Sequence, residues 1–308
     1  MEKKILQKAF LIDQIVTVNL PTRAGMQQLY EAAKALQKKP LCLAAAEKII
    51  DATSHGDNVF IITGFPVPPT NVCETDGPPG AVVLTETLKE AKLNPIIITD
   101  KTCMDVVEAI SQKRQALEFP MDESLAETEA EKLFAKYSPA LLVSIERPGW
   151  NEKKVYHTMG GLNISTIVGK TDILFVHAQR RKVATVAVGD GGNELGCGAI
   201  ANAVKKNVPF GLDCKCGCNG GIAAATPADV LAIARVSNWG AYGIATCLAL
   251  IENLVYRHDW NAELQLLNSV IEAGGIDSVT KEAKPFVDGL STEINCLIAD
   301  LLWRIAKS

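Results

Sequence analysis

Two short loops bring together acidic and glycine residues whose side chains could do chemistry: residues 74–80 (ETDGPPG) and residues 189–196 (GDGGNELG). A loop that only cradled phosphate would do better without carboxylates, or with a lysine. Clustered carboxylates must share protons, bind a hard cation or recognise a cationic group, because their mutual repulsion is otherwise costly. We therefore predict four carboxylates as catalytic residues and metal ligands: Glu74, Asp76, Asp190 and Glu194.

Both loops lie where a parallel sheet would place a ligand. Each follows an apolar segment with strand character and precedes a segment with helical spacing. Ligands of open parallel sheets bind beyond the carboxyl ends of the strands, beside the helix N-termini. The alternative is that Asp190 and Glu194 only cap a helix while the glycines form a turn. Two such loops at strand ends favour the functional interpretation.

Alternating strands and helices would position these loops. We predict strands at 59–63, 95–99, 140–145 and 183–188, and helices at 81–93, 102–112, 122–137, 171–181 and 193–206. After residue 213 the pattern predicts helices at 227–234, 239–256, 261–273 and 285–306, and residues 1–50 resemble a helical lead-in. The expected fold is α/β, with a mainly parallel sheet flanked by helices on both faces and a helical C-terminal third. We expect residues 1–308 to form a single domain.

Further residues could bind a substrate. Arg147 follows the predicted strand at 140–145 and could hold a carboxylate with its guanidinium fork, while Glu146 could join the acidic cluster as a metal ligand. The alternative for this pair is a surface turn with a local ion pair. Asn238 could donate a hydrogen bond to the substrate and Trp239 could wall the pocket, although the same segment is typical of a helix cap followed by core aromatics. We also include Asn193 of the second loop among the substrate-binding residues.

The cysteines and histidines give a weaker signal. Cys214, Cys216 and Cys218 alternate with other residues, which is not the usual zinc-knuckle spacing, and a fourth ligand is missing nearby. We therefore do not expect metal binding there. His157, just before two glycines, is the one histidine with a position suited to acid or base chemistry, and a polar loop residue is the simpler interpretation.

The bulk composition excludes several classes of protein. A net charge of -4, with scattered basic residues and few aromatics, argues against nucleic-acid binding. No segment has the about 18 uncharged apolar residues that a membrane span needs. Asp13 and Gln14 interrupt the apolar N-terminal stretch, which argues against a signal peptide. Nine cysteines without such a signal favour a reducing compartment, so we expect a cytoplasmic protein.

Four motifs in order resemble the D-glutamate cyclase family, and more narrowly its C-terminal domain. They are residues 64–66 (GFP), the loops at 74–80 and 189–196, and residues 237–242 (SNWGAY). The resemblance runs from about residue 40 to the C-terminus. It implies a hydro-lyase that interconverts D-glutamate and 5-oxo-D-proline with loss of water. Longer relatives carry a separate N-terminal domain, so we expect the likeness to concern one domain of those proteins.

The resemblance also implies roles for the candidate residues. A divalent cation (Mg, Mn or Ca) held by both loops and Glu146, or a general acid, would help the γ-carboxyl oxygen to leave. The small acidic substrate would bind through its ammonium among the carboxylates and its α-carboxylate on Arg147. Members of the family usually show Tyr-Asn-x-Arg where this chain has residues 157–160 (HTMG). The missing arginine indicates either a different substrate or a substrate held by Arg147 or Arg23 instead.

Two other functions remain open. One is a metal-dependent hydrolase of a phosphorylated or nucleotide substrate, because residues 189–193 (GDGGN) resemble the magnesium loop of haloacid-dehalogenase-type phosphatases. Those enzymes also need an Asp-x-Asp motif after the first strand, which this chain does not have. The other is a module that binds a small acidic metabolite without turnover.

Overall fold

The computed structural model describes residues 2–111 and 116–308. In chain order the strands within these residues are β1 (Asn58–Thr63), β2 (Pro66–Val67), β3 (Val72–Cys73), β4 (Asn94–Thr99), β5 (Ala116–Glu118), β6 (Leu141–Ile145), β7 (Ala184–Gly189) and β8 (Val230–Ile233). The pair β2 and β3 forms a small antiparallel hairpin, and the others form one parallel sheet in the order β5-β4-β1-β6-β7-β8. The predicted α/β fold with a parallel sheet is confirmed.

The helices lie before, between and after these strands. Their bounds are α1 (Glu2–Val16), α2 (Met26–Gln37), α3 (Leu41–Ala52), α4 (Pro78–Glu90), α5 (Met104–Ile110), α6 (Glu123–Tyr137), α7 (Asp172–Arg181), α8 (Ala201–Asn207), α9 (Ser237–Glu252), α10 (Trp260–Glu272) and α11 (Thr292–Lys307). None of these helices, within the residues that the structure describes, combines the length and the apolar composition that a membrane span requires.

The strand order reverses direction between β1 and β6. From β1 the chain continues to β4 and β5 on one side, and it then returns to β6, β7 and β8 on the other. Right-handed crossovers that run in opposite directions place their helices on opposite faces of the sheet. Accordingly, α4 packs with α5 and α9, whereas α6 packs with α7. The carboxyl ends of β1 and β6 therefore border the crevice where ligands of such sheets bind.

The central strands form because their sequences are apolar and β-branched. In β1 the segment NVFIIT is buried from Val59 to Thr63, and Ile61 pairs with Ile97 of β4 and Val143 of β6. A strand with parallel neighbours and helices on both faces must be apolar on both sides. Phe60 shows one of these contacts, because its ring meets the ring of Phe134 edge-on at 6.1 Å.

The helices α1, α2 and α3 precede the sheet, and the turn between the first two supplies a residue to the site. Asp13 of α1 accepts the amide hydrogens of Leu41 (2.6 Å) and Cys42 (3.1 Å) at the start of α3, which compensates for a proline cap that cannot accept them. The turn between α1 and α2 carries Arg23, whose amide donates to the Asn19 side chain at 2.7 Å. This turn fixes the backbone from which Arg23 reaches the sheet edge.

Several predicted helices differ from the observed elements. Residues 227–234 contain strand β8, because a four-residue apolar run is compatible with either element and β7 offers a free edge. Residues 193–197 form a loop, followed by a 3-10 turn (Gly198–Ile200) and α8. The last predicted helix begins at Thr292 rather than 285. The predicted helix 102–112 covers Met104–Ile110, and Gln112 lies outside the described residues.

Candidate active site

Two overlapping groups of carboxylates lie at the carboxyl ends of β1, β6 and β7. Asp76, Asp190 and Asp288 each place an oxygen within 4.8 Å of the others, and so do Glu146, Asp190 and Glu194. Asp190 belongs to both groups. The loops at 74–80 and 189–196 therefore meet in space, together with two carboxylates from other parts of the chain.

Gly77 lets the first loop approach the sheet closely. Its φ is +96°, and a Cβ there would lie 2.8 Å from the Glu146 Cβ and 2.9 Å from the Thr63 Oγ1. Only glycine adopts this backbone in such a narrow space without strain. The loop is therefore packed directly on the ends of β1 and β6.

Asp76 is held by backbone amides. Its carboxylate accepts hydrogen bonds from the amides of Gly77 (2.9 Å), Ser237 (2.9 Å) and Asn238 (2.8 Å). It thereby satisfies free amides at the N-terminus of α9. Burial, and then the charges of Asp288 and Asp190, raise the pKa of Asp76 well above its ordinary value, while the amides of α9 oppose that shift.

Glu194 closes its own loop. Its carboxylate accepts the amide hydrogens of Gly191 (2.8 Å) and Gly192 (2.7 Å). The side chain folds back so tightly that a Cβ at Gly189 would lie 2.7 Å from the Glu194 Oε2. These bonds compete with the start of a helix at residue 193, which explains the loop observed there.

Glu146 is turned toward the site by its backbone. Its φ is +42°, which is uncommon for a residue with a side chain and costs conformational energy. Its Oε2 accepts a hydrogen bond from the Ser237 hydroxyl at 2.6 Å. Burial, and then the charges of Asp190 and Glu194, raise the pKa of Glu146 well above its ordinary value.

A cavity of about 340 Å³ opens onto these carboxylates. This volume lies in the range of small-molecule sites in proteins, roughly 300–1,000 Å³. Charged and amide side chains from five segments line it: Arg23, Glu74, Glu146, Asp190, Asn193, Lys281 and Asp288. Residues 65–68 and 158–160 provide much of the remaining wall.

Two lining residues, Arg23 and Asp288, lie far from the loops in sequence. Arg23 forms ion pairs with Asp190 and, at 3.2 Å, with Asp288, and Asp288 also lies 3.3 Å from Arg235. Asp288 projects from a two-residue turn in which Val287 and Leu290 exchange backbone hydrogen bonds. Its Asp-Gly sequence is the signal that could have revealed this turn, because both residues adopt positive φ.

The cluster carries more potential negative charge than positive. Among the described residues, Arg23 and Arg235 form ion pairs with members of this cluster. The cluster contains six carboxyl groups: Glu74, Asp76, Glu146, Asp190, Glu194 and Asp288. Burial, and then the charge of Asp190, raise the pKa of Asp288 to about 7, although Arg23 lowers it. Burial also raises the pKa of Glu74 and of Asp190. The cluster therefore favours bound protons, a metal cation or a substrate ammonium.

Arg147, which was predicted to hold a substrate carboxylate, is not among the residues that line the cavity. It is fully buried and paired with Asp100 at 2.6 Å. Its other donors bind the Gly64 and Gly169 carbonyls and the Thr171 hydroxyl. The arginine that does line the cavity is Arg23. The sequence alone could not show which of Arg147 and Arg23 lines the cavity, because either side chain could hold a carboxylate if the fold left it free.

Asn238 and Trp239, which were predicted to bind the substrate, are also not among the residues that line the cavity. The Asn238 Oδ1 accepts the amide hydrogens of Gly77 (2.9 Å) and Gly80 (2.8 Å), so it holds the first loop at the start of α4. Trp239 is buried in the core, and its indole donates to Asn295 at 2.8 Å.

Asn193 does line the cavity. Its Nδ2 donates to the His157 carbonyl at 2.9 Å, which fixes the orientation of the amide. Its buried Oδ1 accepts no hydrogen bond from the residues that the structure describes. A buried acceptor without a partner is costly, so this oxygen suits a ligand with an N–H or O–H donor.

Comparison with known proteins gives a consistent result. The model of the family described as D-glutamate cyclase-like, C-terminal, matches residues 13–301. The human (Homo sapiens) protein named D-glutamate cyclase, mitochondrial, is 33% identical to this chain over 230 residues. The matched part covers 68% of this chain and 36% of the human protein, so the chain corresponds to well under half of that relative.

Proposed function

The chain belongs to the D-glutamate cyclase-like family, and we propose that it is a hydro-lyase that interconverts D-glutamate and 5-oxo-D-proline. The observation that carries this proposal is a substrate-sized cavity in which buried carboxyl groups outnumber the arginines beside them. Such a site attracts a cationic ammonium and holds protons for transfer at neutral pH. We propose that residues 1–308 form one domain carrying this activity, in the reducing environment of the cytoplasm, where its nine free cysteines would persist.

The substrate ammonium would lie among the acidic side chains of the cavity. Glu74, Glu146 and Asp190 line it, and the unpaired Asn193 Oδ1 adds a neutral acceptor. A charge-assisted hydrogen bond to a carboxylate is about twice as strong as a neutral one. These acceptors would fix the nitrogen that must attack the γ-carboxyl carbon.

The substrate carboxylates need positive partners. Arg23 and Lys281 are the lining residues with a positive charge. Arg23 is already paired with Asp190 and Asp288, which holds its guanidinium at the cavity edge. Lys281 is exposed at the mouth and would attract the α-carboxylate of the incoming substrate.

The reaction moves two protons from nitrogen to oxygen. The bond between the nitrogen and the γ-carboxyl carbon (Cδ) forms, a Cδ–O bond breaks, and the departing oxygen leaves as water after it has taken both protons. One oxygen of Asp190 lies within 4.8 Å of one oxygen of Asp288, and burial and the charge of Asp190 raise the pKa of Asp288 to about 7. At neutral pH this pair can supply one carboxylate as base and one carboxylic acid as proton donor. We assign these two roles to the pair.

A divalent cation would fit the second carboxylate group. Glu146, Asp190 and Glu194 offer the oxygen ligands that Mg, Mn and Ca prefer, with Glu74 and Asp76 nearby. Asp76 and Glu194 keep their amide hydrogen bonds in this arrangement, because a carboxylate has about four lone-pair sites. When bound, the cation would act as a Lewis acid on the γ-carboxyl group.

Incubation of the purified chain with D-glutamate or with 5-oxo-D-proline tests the proposal. Chiral chromatography should show interconversion of the two compounds, and L-glutamate serves as the matched control substrate. Titration with Mg, Mn and Ca would show whether turnover depends on one of them. Binding of D-glutamate without turnover would support a metabolite-binding module instead, and hydrolysis of phosphate esters alone would support the phosphatase alternative.

A further inference from the structure

A second cluster of metal-binding side chains lies beside the cavity. One potential ligand atom from each of His157, Cys214, Cys216 and Cys218 lies within 4.8 Å of the others. The Cys214 Sγ is 3.3 Å from the Sγ atoms of both Cys216 and Cys218. The His157 Nε2 is 3.2 Å from the Cys216 Sγ and 3.7 Å from the Cys218 Sγ. The fourth ligand that the local sequence does not provide comes from a segment about 60 residues away.

We propose that these four side chains bind a structural zinc ion. With Zn–S bonds of about 2.3 Å, tetrahedral geometry places neighbouring sulfur atoms roughly 3.7 Å apart. The separations of 3.2–3.7 Å observed here need only a small expansion to admit the ion. A set of three cysteines and one histidine is an established zinc site, and four protein ligands leave no open position for a substrate. The ion would therefore stabilise the structure and take no direct part in catalysis.

The surrounding hydrogen bonds suit a metal site better than a disulfide. All three cysteines are free thiols, and their sulfur atoms are well beyond the bonding distance of about 2.05 Å. The Asn151 Nδ2 donates to the Cys218 Sγ at 3.3 Å, and such a hydrogen bond would orient and stabilise a thiolate bound to a metal. A disulfide would consume two sulfurs and leave the third cysteine and His157 unused. Iron–sulfur clusters are generally held by four cysteines, which argues for zinc.

The position of the cluster explains why a cross-link would be useful there. Between α8 and the bridge at Pro227, residues 208–226 contain no helix and no strand. Such long irregular segments are uncommon in compact domains unless something else orders them. Three ligands lie in this segment, and the buried His157 lies in the segment that supplies Thr158 and Met159 to the cavity wall. Zinc would join the two segments.

Both segments are tied to the acidic loop at 189–196. The His157 carbonyl accepts a hydrogen bond from the Asn193 side-chain Nδ2, and the Ala224 backbone amide donates to the Gly192 carbonyl at 3.0 Å. Zinc binding at the cysteines would therefore hold one wall of the cavity against the loop that carries Asp190. The metal at this site is separate from any cation bound by the carboxylates.

Metal analysis of the full chain tests the proposal. The protein is expressed with added zinc, purified under reducing conditions and measured by plasma mass spectrometry. We expect about one thiolate-bound zinc per chain. The double variant Cys216→Ser/Cys218→Ser should lose almost all of it. Lys215→Ala, an exposed change between two ligands, is the matched control and should keep its zinc.

Cobalt substitution in the wild-type chain distinguishes the site of His157 and the three cysteines from the carboxylate cluster. This measurement does not depend on whether the double cysteine variant folds. Cobalt in the wild-type chain should give thiolate-to-cobalt charge-transfer absorption and the intense visible bands of tetrahedral coordination. Asp190→Asn should keep both features, since it alters only the acidic cluster. Absence of these bands in the wild-type chain, unchanged zinc in the double variant, or a disulfide among the three cysteines in protein purified under reducing conditions would overturn the proposal.

Discussion

Replacement of Asp288 by asparagine should stabilise the folded protein above neutral pH. The side chain is 6% exposed, and burial and Asp190 raise its pKa from 3.8 to about 7. The folded chain therefore binds this proton more tightly than the unfolded chain does. Stability from this group is fully present below pH about 4 and is lost as the pH rises toward 7. Asparagine removes the ionisation, and it tolerates the positive φ at this turn position well.

The size of the effect on the free energy of unfolding follows from the pKa shift of Asp288. One pKa unit corresponds to about 1.4 kcal/mol, so ionisation of Asp288 costs the wild-type protein at most about 4 kcal/mol at pH 8. The difference in unfolding free energy between Asp288→Asn and wild type should grow from near zero at pH 4 toward this limit. Turnover by the wild-type chain should fall about tenfold between pH 6 and pH 8, because the protonated fraction of Asp288 falls by that factor when its pKa is about 7.

Urea unfolding followed by tryptophan fluorescence, without added divalent cations, measures this difference at several pH values. Asp277→Asn is the matched control in the same loop. The Asp277 carboxylate accepts the amides of Thr280 (2.7 Å) and Gly289 (2.9 Å), so asparagine there should lower stability by about 1–2 kcal/mol. If Asp288→Asn is instead less stable than wild type at pH 8, then Asp288 is ionised and stabilised by the two arginines, and the assigned proton-donor role is wrong.

Three other substitutions separate structural from binding roles. Asp76→Asn replaces an acceptor of backbone amides and should cost about 1–3 kcal/mol in urea unfolding; an unchanged midpoint would contradict the capping role. Arg147→Met leaves Asp100 buried without its partner and should cost about 3–5 kcal/mol, with little change in KM for the folded fraction. Lys281→Ala should raise KM for D-glutamate roughly tenfold and leave the melting temperature unchanged, since the side chain is exposed. An unaltered KM would remove Lys281 from the binding site.

The parts of the fold predictable from sequence are those with long, unambiguous patterns. The apolar β-branched runs of β1, β4, β6 and β7 can be recognised because buried parallel strands need such residues on both faces. Strand β8 is a run of four apolar residues that also fits a helix, and only the neighbouring edge of β7 decides its state. The three-residue β5 likewise depends on pairing with β4.

The site was only partly predictable for a similar reason. The two acidic loops stand out because their composition is unusual over a short stretch. Arg23 and Asp288 join them only through the tertiary fold, and Asp288 was hidden inside a segment predicted as helix. Arg147 and Asn238 have the side chains expected of ligand-binding residues, yet the structure uses them to satisfy buried carbonyls and amides.

The ring closure itself provides the most direct test of the proposed active site. Purified wild-type chain and Asp190→Asn are incubated with D-glutamate and a divalent cation, and formation of 5-oxo-D-proline is followed by NMR. The wild-type chain should convert the substrate, and the variant should be slower by at least about 10²-fold while it keeps the wild-type circular dichroism spectrum. No conversion by the folded wild-type chain, or equal rates for the two proteins, would contradict the proposal that the converged carboxylates perform this reaction.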